Sequence, residues 1–360
     1  NELDRSQEHN MSHLNTLFHS VDLGAKLTLK NRIVMAPLTR SMADDDLVPT
    51  EAMAAYYGRR ADAGLIITEA TLVSQDGQGY PNGPGLYTQA QIEGWKNVTQ
   101  RVHQNGGKIF AQIWHTGRVS HSIYHNGELP MAPSPVPIVG HGHVPLTENL
   151  QYETPREITV DEIKRVQNQF AIAAKNAIEA GFDGIEIHGA NSYLIDQFLH
   201  WDSNRREDEY GGTAENMARF LIEIINQVKA VIPEGKIGLR LSPQAYVNLE
   251  HDERDKQVFD YLLPLLNQYD LAYVHTGMFS DEPIEHLDGT VTQYIRKHYR
   301  GTVIASGGYN AETGASLVEN GDADLIAIGR SFIANPDYVE KVKQEKALVE
   351  YSNEMLAELY

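Results

Sequence analysis

Short apolar segments alternate along this chain with longer helical patterns, and this alternation constrains the fold more than any other feature. The segments are apolar on both faces, which is typical of strands buried between a core and a layer of helices. Eight of them occur, at residues 32–37, 65–69, 108–114, 184–188, 237–241, 271–275, 303–306 and 325–328.

The helical patterns between these segments have recognisable ends. Thr50, Thr88, Thr159 and Thr213 each stand where a hydroxyl caps a first helical turn. The predicted helices are 51–63, a helix from 89 that ends at glycines 106 and 107, 160–180, 214–232, 252–267, 291–299, 311–319 and 336–346. Eight strand–helix units in 360 residues predict an α/β fold, a single (β/α)8 TIM barrel.

A doubly wound sheet is the structural alternative. It would use about six strands, and a dinucleotide-binding version would carry Gly-x-Gly-x-x-Gly after an early strand. The sequence contains no such run.

Three segments depart from the plain barrel. Residues 17–29 hold two short apolar runs split by Gly24, which predicts an N-terminal hairpin closing the bottom of the barrel. Residues 115–157 form a long excursion after the third strand, rich in proline and glycine, and a loop of this length is usually a lid or binding loop. Residues 1–13 are polar and are expected to be a disordered arm or tag remnant, which leaves 14–360 as the barrel domain.

The composition excludes several classes of function. The net charge is −19, from 30 basic and 49 acidic residues without a dense basic run, which argues against nucleic acid or an anionic membrane as partner. The chain has no cysteine, which excludes disulfides, iron–sulfur clusters and cysteine–zinc sites, and we expect no metal centre. No apolar stretch approaches the ~20 residues that span a bilayer. These features predict a cytoplasmic protein.

Glycines follow the seventh and eighth strands. Ser306, Gly307 and Gly308 end the seventh, and Gly329 with Arg330 ends the eighth, each before a predicted helix. Backbone amides and a helix N-terminus at this place form the common phosphate site of barrels, and an arginine adds a charged fork. The alternative is that the glycines only permit the turns.

Gln112 and Arg240 are polar residues within otherwise apolar strands. Such groups are costly to bury without partners. They either point outward and pair with a helix, or point inward to a heterocycle with carbonyl and imide edges. An amide and a guanidinium match the pyrimidine edge of a flavin, and Thr39 after the first strand is placed to bond its other carbonyl edge. With the phosphate site, this pattern predicts a bound mononucleotide.

The fourth strand ends in a Gly-Ala turn that carries His188, Asn191 and Tyr193. His188 and Asn191 can both donate to one oxygen, and Tyr193 can give up a proton. This set suits the polarisation of a carbonyl and protonation of the carbon beside it. The structural alternative is a strand end at which the histidine caps backbone groups and the tyrosine packs.

Several motifs in the right order resemble the old yellow enzymes, the FMN-dependent ene-reductases, and in particular their bacterial N-ethylmaleimide-reductase-like branch. The resemblance covers about residues 14–340. It rests on NRIVMAPLTR at 31–40, QIWHTGR at 112–118, HGANSYL at 188–194, YGG at 210–212, and GR with FIANP at 329–336. The tail at 351–360 departs from the glycine-rich, aromatic tail of the family and predicts a short helix.

The resemblance implies FMN as a tightly bound cofactor and NADPH or NADH as the reductant. The residues implied in contact with FMN are Ala36, Pro37, Leu38, Thr39 and Ala70 along the ring, Gln112 and Arg240 at the pyrimidine edge, and Ser306, Gly307, Gly308, Gly329 and Arg330 around the phosphate.

The resemblance also implies a substrate site above the flavin. His188 and Asn191 would hold the carbonyl or nitro oxygen of a small activated alkene or the oxygen of a phenolic ligand. Tyr193 would be the proton donor, and Tyr80 and Trp114 would form pocket walls.

Other activities fit parts of the same pattern. Another FMN barrel, such as a dihydroorotate-dehydrogenase-like enzyme, and an enzyme acting on nitro compounds, nitrate esters or quinones share the cofactor site. A phosphosugar isomerase or aldolase would need a base such as Glu69 or Glu186, and would not explain Gln112 and Arg240. A non-catalytic flavin carrier would not need the three side chains after the fourth strand. The sequence leaves the oligomeric state open.

Overall fold

Eight parallel strands close into a barrel in the computed structural model, which describes residues 13–24, 26–140, 144, 147 and 149–360. Each strand pairs in parallel with the next, and the last pairs with the first. The prediction of a (β/α)8 barrel is therefore confirmed. Every predicted segment overlaps one strand, and β4 and β6 each extend one residue beyond theirs. The strands are β1 Ile33–Met35, β2 Leu65–Ile67, β3 Ile109–Trp114, β4 Gly184–Gly189, β5 Ile237–Leu241, β6 Tyr273–Thr276, β7 Val303–Ala305 and β8 Leu325–Ile328.

The helices surround the barrel close to their predicted positions. They are α1 Glu51–Gly58, α2 Gln89–Gln104, α3 Val160–Glu179, α4 Leu194–Leu199, α5 Ala214–Lys229, α6 Asp255–Leu265, α7 Val291–His298, α8 Ala311–Glu319, α9 Arg330–Ala334 and α10 Tyr338–Lys343. Thr50, Thr88, Thr159 and Thr213 all accept a backbone N–H in the first turn, as predicted. The sequence did not indicate α4 and α9, because helices of six and five residues are too short to display a helical period.

Inside the barrel, a mainly apolar layer fills the N-terminal half. Side chains alternate along each strand, so every second residue points inward. The layer consists of Val34, Leu65, Phe110, Tyr273, Ile304 and Leu325. Glycine at 238 makes room for it, since a Cβ there would lie 2.3 Å from Cζ of Tyr273. Apart from the Tyr273 hydroxyl, the polar side chains that point inward lie in the C-terminal half of the barrel.

The N-terminal hairpin closes the opposite end, as predicted. Val21–Leu23 pairs antiparallel with Leu27–Leu29. Leu23 and Leu29 are fully buried and join the apolar layer. The bottom of the barrel is therefore sealed, and a ligand reaches the interior from the C-terminal mouth.

The excursion after β3 is anchored rather than free over its described part. Met131–Ala132 pairs with Arg156–Glu157, and Arg206 donates to the carbonyls of Pro133 at 3.0 Å and Ile158 at 2.7 Å. Positions 142 and 145 of the excursion lie outside the described residues, as does the predicted arm up to residue 12. No helix within the described part of the chain is long and apolar enough to cross a membrane.

The C-terminal tail forms one 3₁₀ turn, Asn353–Ala357, where the sequence predicted a short helix. It lies along the mouth, where the carbonyls of Met355 and Glu358 accept hydrogen bonds from Nη2 of Arg40 at 3.3 and 2.7 Å. The tail is thus held next to the loop that follows β1.

Candidate active site

A cavity of about 650 Å³ opens at the C-terminal mouth of the barrel. Its wall contains most of the predicted cofactor residues, namely Ala36, Pro37, Leu38, Arg240, Ser306, Gly307, Gly308, Gly329 and Arg330. Asn191 of the predicted substrate set also lines it, with Tyr246 and Phe279 beside it. The predicted residues that do not belong to this wall are Thr39, Ala70, Gln112, His188, Tyr193, Tyr80 and Trp114.

A polar network spans the barrel interior beneath this cavity. Nε2 of Gln112 donates to Glu186 at 2.7 Å, and Nδ1 of His275 lies 2.7 Å from the other oxygen of the same carboxylate. Nε2 of His275 is 2.7 Å from Oγ of Ser306, which also accepts from Arg240 at 3.4 Å. Both Gln112 and Arg240 therefore point inward, and the alternative in which they pair with outer helices is wrong.

The register of the strands brings this network together. Gln112 is paired with Glu186 across β3 and β4, and Arg240 stands between His188 on β4 and His275 on β6. Nε of Arg240 donates to the carbonyl of Thr276 at 3.1 Å, which fixes the guanidinium at the edge of the cavity.

The charges in this network follow from burial and from the neighbouring groups. Burial lowers the pKa of His275, so its neutral ring donates from Nδ1 to Glu186 and accepts the Ser306 hydroxyl at Nε2. Burial alone would raise the pKa of Glu186, but His275 and Arg240 outweigh it and hold the pKa below its usual value. Glu186 is thus an anion committed to its neighbours and is not free to act as the base of an isomerase.

His188 and Asn191 present polar atoms that the protein leaves unpaired. His188 is 4% exposed, and burial together with the nearby Arg240 lowers its pKa to about 3, so its ring is neutral. Nδ1 of His188 and Oδ1 of Asn191 are buried without a hydrogen-bond partner among the described residues. Nδ2 of Asn191 donates to the hydroxyl of Tyr246. Buried polar groups are seldom left this way unless a ligand or water completes them.

Tyr193 belongs to an aromatic cluster next to His188. Its ring lies 4.5 Å from that of Trp114 and 5.1 Å from that of His188, both edge-on, and Tyr80 stacks on Trp114 at 5.4 Å. The hydroxyls of Tyr193 and Tyr80 are 2.5 Å apart. Burial raises the pKa of Tyr193 well above its ordinary value, so it keeps its proton. The predicted substrate residues His188, Tyr193 and Tyr80 are therefore side by side.

Ala70 and Thr39 lie apart from the polar network. Ala70 is 6% exposed and packs with Leu47, Leu72 and Trp114 under the aromatic cluster. Thr39 is exposed on the loop after β1. Glu69, beside Ala70, has its pKa raised to about 7 by burial and accepts from the hydroxyl of Tyr57 at 2.6 Å.

The glycines after β7 and β8 form the far end of the cavity. Gly307 and Gly308 have φ of +140° and +80°, which only glycine adopts without strain, and a Cβ at 307 would lie 2.6 Å from Asp281. Arg330 is exposed at the start of α9, and its guanidinium lies 5.2 Å from the ring centre of Tyr351. Tyr351 of the tail therefore contacts the predicted phosphate arginine, and Tyr360 contacts Arg59 instead.

The sequence did not indicate His275 or Tyr246 as site residues. It suggested Glu186 only as the base of an isomerase or aldolase, the alternative that the network argues against. The alternation of inward and outward side chains along β4 and β6 could have identified Glu186 and His275, because it places both on the inward face. Tyr246 follows β5 on a loop, where no periodic signal exists.

Known proteins resemble this chain over most of its length. Residues 16–348 match the NADH:flavin oxidoreductase / NADH oxidase family. The 12-oxophytodienoate reductase 1 of Oryza sativa subsp. japonica is 41% identical over 331 residues, which cover 91% of this chain and 86% of that protein. The structure of an old yellow enzyme homologue from Zymomonas mobilis is 40% identical, with a TM-score of 0.88 over 94% of this chain and 96% of that one. A morphinone reductase in complex with tetrahydroNAD is 39% identical, with a TM-score of 0.87 over 94% and 93% of the two chains.

These similarities and the geometry of the mouth agree on the kind of protein. They confirm the resemblance to the old yellow enzymes, and the Zymomonas structure is consistent with the bacterial branch. The chain therefore belongs to the NADH:flavin oxidoreductase / NADH oxidase family, and it is a flavin oxidoreductase that uses FMN and a reduced nicotinamide nucleotide.

Proposed function

We propose that this enzyme reduces the activated C=C bond of α,β-unsaturated carbonyl or nitro compounds, with NADPH or NADH as the electron source. The observation that carries the proposal is the cluster at the end of β4. There, a neutral histidine and an asparagine with unpaired atoms lie beside a tyrosine that holds its proton.

The donors at the mouth suit FMN. Backbone amides around Gly308 and Gly329, with the Arg330 guanidinium, match a phosphate. Arg240 at the cavity wall and Gln112 below it match the pyrimidine edge of the ring, and Arg240 would stabilise negative charge there. When bound, FMN supplies hydride transfer between the nicotinamide and the substrate.

His188 and Asn191 are suited to hold the oxygen of the substrate. A neutral imidazole N–H and the second N–H of the Asn191 amide, whose first N–H donates to Tyr246, can both donate to a carbonyl or nitro oxygen. These bonds strengthen as negative charge develops on that oxygen. A phenolate oxygen presents the same chemistry, so phenols are expected to occupy this position.

Tyr193 is suited to protonate the α-carbon. Its raised pKa keeps the hydroxyl protonated across the physiological range, and the ring lies edge-on to that of His188. A proton delivered from a positioned side chain contributes about 10²- to 10⁴-fold to a rate. This step distinguishes alkene reduction from reduction of quinones, nitro groups or nitrate esters, since those reactions need no proton on carbon from Tyr193.

The test uses the FMN-loaded enzyme and measures the two half-reactions separately by stopped flow. Tyr193→Phe is expected to slow reoxidation by 2-cyclohexenone by about 10²- to 10⁴-fold and to leave reduction by NADPH or NADH unchanged. Tyr269→Phe is the matched control, because Tyr269 lies before β6, away from the mouth, and its hydroxyl bonds Asn226 at 2.7 Å. Equal rates for Tyr193→Phe and the control in both half-reactions would remove Tyr193 as proton donor.

A second measurement tests the oxygen site directly. Addition of a phenol to the FMN-loaded enzyme is expected to produce a long-wavelength charge-transfer band, which Asn191→Ala should weaken. A protein that purifies without a flavin spectrum and takes up no FMN would contradict the whole proposal. A cytoplasmic location and the lack of a nucleic-acid partner stay predictions from the composition.

A further inference from the structure

The turn that carries Asn191 has an unusual backbone. Asn191 and Ser192 both lie in the left-handed region, with φ of +59° and +69°. Residues other than glycine adopt this conformation at a cost of about 1–3 kcal/mol each, and it persists only where surrounding contacts impose it. The contacts that hold the turn in this conformation come from buried side chains and not from residues of the cavity wall.

Two buried side chains hold the backbone N–H groups of this turn. The N–H of Asn191 donates to Oγ of Ser242 at 3.0 Å, and the N–H of Ser192 donates to Oδ2 of Asp196 at 2.9 Å. The Ser242 hydroxyl donates in turn to the carbonyl of Gly277 at 2.8 Å. A Cβ at position 277 would lie 2.7 Å from Oγ of Ser242, so the arrangement is tightly packed.

His200 joins both of these supports. Its Nε2 lies 2.7 Å from Oδ1 of Asp196 and 3.1 Å from the carbonyl of Ser242, and its Nδ1 lies 3.0 Å from Asp255. With acceptors on both ring nitrogens, the ring must carry both protons. Burial opposes that charge, but Asp196 and Asp255 overcome it and raise the pKa of His200 to about 10.

The supporting residues are sealed from the cavity. Asp196 and Asp255 are each 1% exposed, and His200 and Ser242 are fully buried. None of the four lines the cavity wall as the structure describes it. They can therefore act on a ligand only through residues such as those of the Asn191 turn, whose backbone they hold.

We propose that His200, fixed between Asp196 and Asp255, is a positioning residue that locks the Asn191–Ser192 turn and so aims the Asn191 amide at the substrate oxygen. This inference rests on the proposed function, because it assumes that Asn191 holds that oxygen. Loss of the imidazolium would free Asp196 and the Ser242 carbonyl together, and the left-handed turn would relax.

The test titrates the FMN-loaded enzyme with 4-chlorophenol and measures the dissociation constant from the charge-transfer band. His200→Gln is expected to weaken binding by about tenfold, and the double variant Asn191→Ala/His200→Gln to bind no more weakly than Asn191→Ala alone. Ser242→Ala removes one hydroxyl and is expected to weaken 4-chlorophenol binding in the same way. If His200→Gln does not fold, Ser242→Ala takes its place in the test. The control is His103→Gln, whose Nε2 lies 2.8 Å from Asp183 at the opposite end of β4.

The outcomes separate the two proposals. An unchanged affinity of Asn191→Ala for 4-chlorophenol would overturn the proposed role of Asn191. Weakened binding in Asn191→Ala with unchanged binding in both His200→Gln and Ser242→Ala would overturn the positioning role alone. An equal further loss from His200→Gln in the Asn191→Ala background would also overturn it, because a general structural defect is additive whereas positioning through Asn191 is not.

Discussion

Tyr80→Phe tests how the aromatic cluster assists proton transfer. The hydroxyls of Tyr80 and Tyr193 are 2.5 Å apart, and either can donate to the other. When Tyr193 directs its proton to the substrate, Tyr80 must be the donor between them. Tyr80 then stabilises the tyrosinate that Tyr193 becomes as it loses the proton.

The magnitude follows from the change in charge on Tyr193. A hydrogen bond between neutral groups contributes about 1 kcal/mol and one to a charged group about 1.5–3 kcal/mol. The difference gained in the transition state is therefore about 0.5–2 kcal/mol, and its loss in Tyr80→Phe corresponds to about a 2- to 30-fold slower step. The stacking of the Tyr80 ring on Trp114, at 5.4 Å, does not depend on the hydroxyl, so the cluster should keep its packing.

The assay follows reoxidation of the reduced enzyme by 2-cyclohexenone and, separately, its reduction by NADPH or NADH. Only reoxidation should slow in Tyr80→Phe, and the double variant Tyr80→Phe/Tyr193→Phe should be no slower than Tyr193→Phe alone, because Tyr80 acts through Tyr193. Unchanged reoxidation in Tyr80→Phe, or a further loss in the double variant, would refute the reasoning.

Three further outcomes are expected. Gly238→Ala should lower the free energy of unfolding by about 1–3 kcal/mol in urea denaturation, because its Cβ would lie 2.3 Å from the Tyr273 ring. His200→Gln should destabilise the protein most below pH 6.5 and progressively less as the pH rises to about 10, because a histidine whose pKa is raised on folding stabilises the fold only while it is protonated in the native state. Tyr351→Ala should weaken FMN binding to the apoprotein about two- to fivefold in a fluorescence titration, since Tyr351 lies over the Arg330 guanidinium and such contacts contribute about 0.5–1 kcal/mol.

The barrel strands could be predicted because their signal is local. A strand between two apolar layers has no polar face, so each of the eight segments is recognisable without knowledge of its neighbours. The same holds for the capping threonines, whose hydroxyl and first-turn amide are three residues apart. The short α4 was missed since it fits between the substrate turn and His200, and six residues contain less than two helical turns.

The polar network and the Tyr246 contact could not be predicted in the same way. Glu186 and His275 are 89 positions apart, and only the closed register of β4, β5 and β6 brings their side chains to 2.7 Å. The sequence indicated that Gln112 and Arg240 are polar in apolar strands, but not which groups they meet. His200 could not be identified from the sequence, because its partner Asp255 is 55 positions away at the start of α6.

Buried polar groups near the barrel axis are hydrogen-bonded in the network but are left unpaired in the layer of residues above it. In the network, every hydrogen bond that Glu186 and His275 need is supplied by a neighbouring strand. One layer higher, Nδ1 of His188, Oδ1 of Asn191 and Nε1 of Trp114 are buried and unpaired within the described structure. Each such atom costs about 1–3 kcal/mol when it is left unsatisfied. Because the network pairs its buried polar groups, we expect a ligand to complete the unpaired atoms of His188, Asn191 and Trp114 above it.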